Sequence, residues 1–292
     1  MTDATILIPT HRHAAFLPYA IESALDQSEV TLELFVLGDG VEDATRGVVA
    51  RFSDDPRVRF FDLPKGARLG EAHRRGVLDE ASGCIVAYLA DDDLLLPGHV
   101  SNMLRLLGDA DFAHPVSARF EADGSLQYFP WNYGRPIFRD LAHGRVGSIG
   151  LTGTAHTLEA YRRLPFGWRT TPVGMPTDHW MWLQFLDLPG LRSVMGQRLT
   201  YLAFPEPAWG KVPDAERAAT LAEWLRRSRE PGFEDELDVM LRDAIRRAAE
   251  DYHVWARREQ LAVETLLATR TWRLRTRLLG VKALRKPRAR RS

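Results

Sequence analysis

Residues 83–97 read GCIVAYLADDDLLLP, an apolar run that ends directly in three aspartates. A short, continuous apolar run is typical of a strand that is covered on both faces of a parallel sheet. Three adjacent carboxylates repel one another unless a cation or hydrogen bonds compensate their charge. A divalent ion held by one or two carboxylates and by substrate phosphates would do so. The alternative is an acidic helix cap at Asp93, since residues 100–107 have helical spacing.

The sequence on the N-terminal side of this run alternates between strand and helix patterns. Strands are predicted at residues 5–8, 32–37, 58–61 and 84–89, and helices at residues 16–25 and 70–82. This alternation predicts an α/β fold with a mostly parallel sheet flanked by helices. Ligands bind such sheets at the carboxyl ends of the strands. Three of these ends carry Pro9-Thr10-His11, Asp39 and the three aspartates, so we expect them to converge at one edge.

Several polar residues allow two interpretations. Asp39 lies between Gly38 and Gly40 and would be an ordinary turn residue if it stood alone. The basic residues between positions 65 and 75 either solvate a helix face or meet a diphosphate; they are Lys65, Arg68, His73, Arg74 and Arg75.

The region after residue 110 is more irregular. Ala122-Asp123-Gly124 predicts a hairpin between residues 112–120 and 126–129. Residues 130–176 are rich in Gly, Pro and aromatic residues, which suits a binding surface built from loops. Thr177 is a predicted N-cap, and Asp178 in the first helical turn is either favoured by the helix dipole or a general base. From about residue 214 the pattern is helical, with an interruption at Pro231-Gly232.

Composition excludes several protein classes. The chain has 292 residues, of which 45% are hydrophobic and 27% charged, as expected for a folded globular protein rather than a disordered one. The one cysteine, Cys84, rules out an intrachain disulfide, fits a reducing, cytoplasmic setting and is expected in the core. We see no signal-peptide pattern, no apolar run long enough to span a membrane and no P-loop, Gly-x-Ser-x-Gly or Gly-x-Gly-x-x-Gly motif.

Charge is distributed unevenly along the chain. From Arg270 onward there are ten basic residues and no acidic one, whereas the remaining chain has 29 basic and 39 acidic residues. Residues 251–281 also interleave Trp and Leu with Arg, which favours peripheral contact of residues 251–292 with an anionic membrane surface. The alternatives are a helix packed on the catalytic domain and a nucleic-acid-binding arm. Nothing else resembles a nucleic-acid module, so we expect no nucleic-acid partner.

Four segments together resemble the family 2 glycosyltransferases, over residues 4–105 and more loosely to about 205. They read ILIPTHR (6–12), FLPYAIESALDQS (16–28), LFVLGDGVEDAT (34–45) and GCIVAYLADDDLLLP (83–97). The resemblance implies a GT-A, Rossmann-like fold that binds a nucleotide sugar. It implies two halves of one such domain, residues 1–105 for the nucleotide sugar and 106–210 for the acceptor, followed by a helical extension with a basic tail at 211–292.

The resemblance also implies roles for individual residues. Asp39 falls on the position that hydrogen-bonds the nucleotide base, and Pro9, Thr10 and His11 fall where that base is cradled. Asp91 falls near the ribose and the diphosphate, and Arg68 falls at a diphosphate contact.

The metal and the catalytic base are assigned in the same way. Asp92 falls on the metal ligand of the family's Asp-x-Asp element, and we assign Asp93 to the same Mn²⁺ or Mg²⁺. Asp178 falls about where the catalytic base is kept. The sequence departs from the family pattern at Gly38 and Ala90, each in place of an aspartate, at His11 in place of Tyr, and at Thr177 before the catalytic helix.

The implied function is inverting, metal-dependent transfer of a sugar from a UDP- or dTDP-sugar to a sugar or lipid-linked acceptor, in cell-surface polysaccharide or glycoconjugate synthesis. One alternative is a nucleotidyltransferase, which shares the alternation of strands and helices and the metal-binding carboxylates. Such an enzyme usually has a Gly-rich loop after the first strand, where this chain has Pro9-Thr10-His11-Arg12. A non-catalytic nucleotide- or sugar-binding scaffold is the other alternative. Such a scaffold would keep Asp39 and could lose Asp178 without consequence.

Overall fold

The computed structural model describes residues 2–145 and 147–268. Within these residues the strands, in chain order, are β1 (Ala4–Thr10), β2 (Leu32–Asp39), β3 (Val58–Leu63), β4 (Ile85–Tyr88), β5 (Leu94–Leu95), β6 (Phe112–His114), β7 (Ser117–Phe120), β8 (Leu126–Phe129), β9 (Ala155–Thr157), β10 (Ser193–Met195) and β11 (Tyr201–Leu202). The helices are α1 (Leu17–Leu25), α2 (Asp43–Ala50), α3 (His73–Leu78), α4 (His99–Leu107), α5 (Pro136–His143), α6 (Leu158–Arg162), α7 (Thr177–Leu186), α8 (Glu206–Trp209), α9 (Asp214–Ser228) and α10 (Phe233–Ala268).

Seven strands form the central sheet, in the order β10-β6-β9-β4-β1-β2-β3. β1 is parallel to both β2 and β4, β2 is parallel to β3, and β6 is parallel to β10. β9 is antiparallel to both of its neighbours, β4 and β6. The predicted fold class, a mostly parallel sheet flanked by helices, is therefore confirmed.

The sheet is buried on both faces because its central strands are apolar at consecutive positions. Ile6 and Ile8 belong to one hydrophobic cluster, and Leu7 between them belongs to a second cluster on the opposite face. α1 and α9 contribute to the first cluster, whereas Trp168 and Trp182 belong to the second. This two-sided core fixes the strand ends that carry the polar residues discussed below.

Several boundaries differ from the sequence-based expectations. Asp93 is not a helix cap, because the short strand β5 follows it and α4 begins only at His99. Thr177 is the first residue of α7, whose N-cap is the extended Pro176, so the Thr177 side chain does not cap the helix. Residues 112–120 divide at Pro115 between the central sheet and the predicted hairpin, β7–β8. Cys84 precedes β4 and is exposed, so the expectation that it lies in the core was wrong.

The chain divides into two compact units, residues 1–244 and 245–292. The first unit contains the sheet and extends past the predicted boundary at residue 210, since Leu221 and Leu225 of α9 and Leu237 of α10 belong to its core. The second unit is described up to residue 268 and is helical there. All ten basic residues from Arg270 onward lie outside the described residues, as does that part of the segment predicted to contact a membrane. Among the described residues, we find no helix with the length and hydropathy of a membrane-crossing segment.

Candidate active site

The carboxyl ends of β1, β2 and β4 lie side by side, because these three strands are adjacent and parallel. The residues at these ends line a cavity of about 400 Å³. All six residues predicted to bind the nucleotide are among those that line it, namely Pro9, Thr10, His11, Asp39, Arg68 and Asp91. The structure therefore brings this predicted set together, although the set is dispersed over more than 80 residues of sequence.

Asp39 is almost fully buried at the end of β2, and donors hold its carboxylate. Lys65 Nζ donates to Oδ2 at 2.6 Å, and the backbone N–H of Gly66 donates to Oδ1 at 2.6 Å. Gly70 packs against the Asp39 carboxylate and has a φ of +65°. A Cβ at position 70 would be 2.1 Å from Asp39 Cγ. Asp39 is thus a fixed acceptor in the wall of the cavity.

Arg68 joins the loop after β3 to the segment that precedes α7. Its guanidinium donates to the carbonyl oxygens of Thr171, Pro172 and Met175, at 3.2, 2.6 and 3.3 Å. Its backbone is left-handed, with φ of +54°. Arg68 therefore has a bracing role in addition to its place in the cavity wall.

Arg74, in α3, brings a buried positive charge to the same cavity. Its side chain is 5% exposed, and its guanidinium carbon lies 4.3 Å from the centre of the Trp168 ring. Nε and Nη1 have no hydrogen-bond partner among the residues that the structure describes. Burial lowers the pKa of Arg74, and the carboxylates of Asp178 and Glu71 oppose that shift.

Asp91 and Asp92 each have one carboxylate oxygen engaged by a neighbouring side chain. His13 Nδ1 lies 2.8 Å from Asp91 Oδ1, and this hydrogen bond raises the pKa of His13 to about 9. Arg217 of α9 donates to Asp92 Oδ2 at 3.0 Å. Burial, followed by the charge of Asp91, raises the pKa of Asp92 to about 6.

Asp93 is held differently from its two neighbours. One of its oxygens accepts from the Thr152 hydroxyl and the other accepts from the backbone N–H of Phe204 at 2.7 Å. Burial raises its pKa to about 8. Both oxygens therefore link the end of β4 to neighbouring loops.

The residues present fit a divalent cation. His13, Asp91 and Asp92 each offer a ligand atom, and these atoms lie within 4.8 Å of one another. Carboxylate oxygens suit Mg²⁺ and Mn²⁺. Burial and the charge of Asp91 raise the pKa of Asp92, and a cation beside the Asp92 carboxylate would oppose that shift. Within the described chain this group includes Asp92, but it contains His13 and Asp91 rather than Asp93.

Asp178 lies in the first turn of α7 and lines a second cavity, of about 650 Å³. Asp92, Asp93 and the aromatic residues Phe129, Trp131 and Tyr201 also line this cavity. Ala90, Leu151 and Glu206 line both cavities, so the two spaces are adjacent.

The environment of Asp178 suits a proton acceptor. Burial raises its pKa, while backbone hydrogen bonds and the positive charge of Arg74 lower it. The neighbouring His179 also carries a side chain that can accept a proton, but it is 3% exposed and is not among the described residues that line either cavity. The geometry therefore favours Asp178 over His179.

The family model for Glycosyl transferase family 2 matches residues 5–167, which is more than half of the chain. The chain belongs to glycosyltransferase family 2. A curated relative is a GalNAc(5)-diNAcBac-PP-undecaprenol beta-1,3-glucosyltransferase of Campylobacter jejuni, 32% identical over 129 residues. The match covers 43% of this chain and 41% of the relative, so the chain spans less than half of that protein.

Two solved structures share the fold of this family 2 chain. One is S. aureus TarS 1-349 in complex with UDP-GlcNAc, with a TM-score of 0.53 and 11% identity over 83% of this chain and 71% of that chain. The other is the mannosyltransferase PcManGT of Pyrobaculum calidifontis in complex with GDP-Man and Mn²⁺, with a TM-score of 0.50 and 17% identity over 96% of this chain and 86% of that chain. At these identities the likeness establishes the GT-A fold alone.

Three residues with direct contacts to this family 2 site were not singled out from the sequence. Lys65 was one of five clustered basic residues, and only its contact with Asp39 distinguishes it. His13 belongs to the polar segment that follows β1, and this position was a usable signal. Arg217 is 125 residues from Asp92 in a helical segment, and no local pattern connects the two.

Proposed function

We propose that this family 2 chain is an inverting glycosyltransferase that moves a sugar from a nucleoside-diphosphate sugar to a hydroxyl acceptor. One observation carries the proposal. The cavity lined by the predicted nucleotide-binding residues adjoins a cavity lined by the aspartates after β4 and by a candidate base, Asp178. A donor in the first cavity and an acceptor in the second would meet at their common wall.

The donor is proposed to be a UDP- or dTDP-sugar. The fixed carboxylate of Asp39 accepts hydrogen bonds, and the imide N–H of uracil or thymine is a donor that adenine lacks. Pro9, Thr10 and His11 would contact the base and ribose from the end of β1. Arg68, Arg74 and Lys65 bring positive charge to the same cavity, which suits a diphosphate.

Mn²⁺ or Mg²⁺ is the proposed cofactor, held by Asp92 together with Asp91 and His13. The metal is proposed on this group because both oxygens of Asp93, the other predicted ligand, accept hydrogen bonds from the protein. When bound, such an ion stabilises the negative charge that develops on the leaving diphosphate. TarS and PcManGT are described in complex with UDP-GlcNAc and with GDP-Man and Mn²⁺, respectively, which supports a nucleotide sugar and a metal here.

Asp178 is the proposed general base. It would take the proton of the acceptor hydroxyl as that oxygen attacks the anomeric carbon of the sugar from the face opposite the diphosphate. The bond from this carbon to the diphosphate breaks, so the configuration of the anomeric carbon is inverted. Burial raises the pKa of Asp178, which makes it a stronger proton acceptor than an exposed aspartate. Arg74 counters this shift and keeps the ionised form accessible.

The acceptor is proposed to be a sugar or a lipid-linked glycan of a surface polysaccharide or glycoconjugate. Phe129, Trp131 and Tyr201 give the second cavity aromatic surfaces on which a sugar ring can stack. The Campylobacter jejuni relative is named for an undecaprenol-linked acceptor, which supports a lipid-linked one. Residues 251–292 are proposed to touch the cytoplasmic membrane face peripherally, since Tyr252 and Trp255 are exposed and the tail is basic.

Titration calorimetry of the full chain with a panel of nucleoside diphosphates, with and without Mn²⁺, tests the donor and metal assignments. We expect UDP or dTDP to bind best and Mn²⁺ to tighten binding in the wild type. Asp92→Asn should lose this effect of Mn²⁺, while Asp54→Asn, at an exposed surface position, should keep it. Tightest binding of a purine nucleotide would contradict the base contact, and an unchanged Mn²⁺ effect in folded Asp92→Asn would contradict the metal site.

A further inference from the structure

Arg217 connects α9 to the aspartates after β4, outside the segment that matches the family model. Its side chain is 6% exposed, and its guanidinium carbon lies 4.4 Å from the centre of the Phe16 ring. Nη2 donates to Asp92 Oδ2 at 3.0 Å and to the carbonyl oxygen of Phe204 at 3.3 Å. Arg217 is therefore a fixed, buried positive charge beside a proposed metal ligand.

The ligand atoms available to a metal are correspondingly few. Arg217 engages one oxygen of Asp92, and His13 engages one oxygen of Asp91. One oxygen of each carboxylate is left free of these two contacts, and His13 itself offers one ring nitrogen. Mg²⁺ requires about six ligands in near-octahedral geometry and usually takes several of them from substrate phosphates and water. The protein by itself thus offers an incomplete coordination shell.

The charge of Arg217 also disfavours binding of a metal ion to the protein alone. A divalent ion bound to Asp92 would be close to the buried guanidinium of Arg217, which contacts the same carboxylate. Like charges repel more strongly in a poorly solvated site. A bound nucleoside diphosphate would bring negative charge and phosphate oxygens to the same place. The diphosphate would therefore both offset the repulsion and complete the coordination shell of the ion.

We propose that Arg217 makes metal binding conditional on the diphosphate, so that the ion is captured with the nucleotide sugar and not before it. The inference rests on the proposed metal-assisted transfer. Arg217 is a positioning residue here, because it acts through Asp92. The proposal implies that the protein without nucleotide binds little metal, even where Mn²⁺ is abundant.

The test measures binding of Mn²⁺ alone, and of Mn²⁺ in the presence of UDP, to the full chain by calorimetry and by the electron paramagnetic resonance signal of free Mn²⁺. Arg217→Met removes the charge, Arg217→Gln removes the charge but keeps an N–H donor for Asp92, and Arg217→Lys keeps the charge. We expect the wild type and Arg217→Lys to bind Mn²⁺ weakly until UDP is added. Arg217→Met and Arg217→Gln should bind Mn²⁺ alone about 10-fold more tightly or better, the scale on which neighbours of metal ligands change affinity.

A double variant, Asp92→Asn with Arg217→Gln, should lose this gain. An unchanged or weaker affinity for Mn²⁺ alone in folded Arg217→Gln would overturn the inference and leave Arg217 a packing residue of α9. If neither uncharged variant folds, the wild type decides the question, because equal Mn²⁺ affinity with and without UDP also overturns it. Binding of UDP without any Mn²⁺ binding in any variant would instead refute the proposed metal-dependent function itself.

Discussion

Replacing Gly70 with alanine tests the role of Asp39 without changing any charged residue. A Cβ at position 70 would lie 2.1 Å from Asp39 Cγ, and 2.3 and 2.5 Å from its two carboxylate oxygens. Carbon atoms in contact prefer a separation of about 3.5–4.0 Å. The Asp39 carboxylate therefore has to move by well over an ångström, which breaks its short contacts with Lys65 and Gly66.

The size of the effect follows from these contacts. Alanine at the left-handed φ of +65° costs about 1–2 kcal/mol of folding stability. Each hydrogen bond to the charged carboxylate contributes about 1.5–3 kcal/mol. Losing one such bond to the nucleotide base lowers affinity by about 10- to 100-fold, since about 1.4 kcal/mol corresponds to a factor of ten.

Gly190→Ala is the matched control. Gly190 also has a positive φ, of +72°, but nothing lies within 4 Å of a Cβ placed there. We expect both variants to lose stability in thermal unfolding, and only Gly70→Ala to lose affinity for UDP in calorimetry with Mn²⁺ present. Wild-type UDP affinity in folded Gly70→Ala would refute the argument that the Asp39 carboxylate must be held in place to bind the nucleotide.

Two further predictions concern catalysis. Asp178→Asn should lower the rate of sugar transfer by about 10²–10⁴-fold, the usual contribution of a general base, and leave UDP binding unchanged. His179→Gln should keep most of the transfer activity. The reverse pattern in a transfer assay would assign the role of base to His179. The proposed general base has to be ionised, so kcat/KM should fall as the pH falls through the raised pKa of Asp178. Arg74→Gln should move this acid limb to higher pH, since the charge of Arg74 lowers the pKa of Asp178. A pH–rate profile with an unmoved limb, or one displaced to lower pH, would contradict this coupling.

The strand ends were predictable from the sequence because they depend on local patterns. Apolar runs that end in polar residues locate Thr10, Asp39 and Asp91, and parallel pairing then brings them together. The partners of these residues were not predictable in this way. Lys65 and Arg217 are 26 and 125 residues from the aspartates that they contact, and each looks like any other basic residue in a polar segment.

Some local expectations failed because longer-range pairing overrode them. A helix cap at Asp93 was reasonable from the spacing that follows it, but residues 94–95 pair with β11 instead and delay the helix to His99. Cys84 looked like part of a buried strand, yet pairing of β4 with β1 begins at Ile85 and leaves the cysteine at the surface.

The antiparallel strand β9 determines how far the chain can be shortened without exposing a strand edge of the central sheet. β9 inserts between β4 and β6, although residues 115–154 separate it from β6 in the chain. A fragment that ends near residue 105 would contain β1 to β5 but would leave one edge of β4 unpaired. An unpaired apolar edge invites other chains to pair with it. Residues 1–105, the predicted nucleotide-sugar half, are therefore not a separable module, and a shortened version of the protein has to retain at least Ala155–Thr157 to pair that edge.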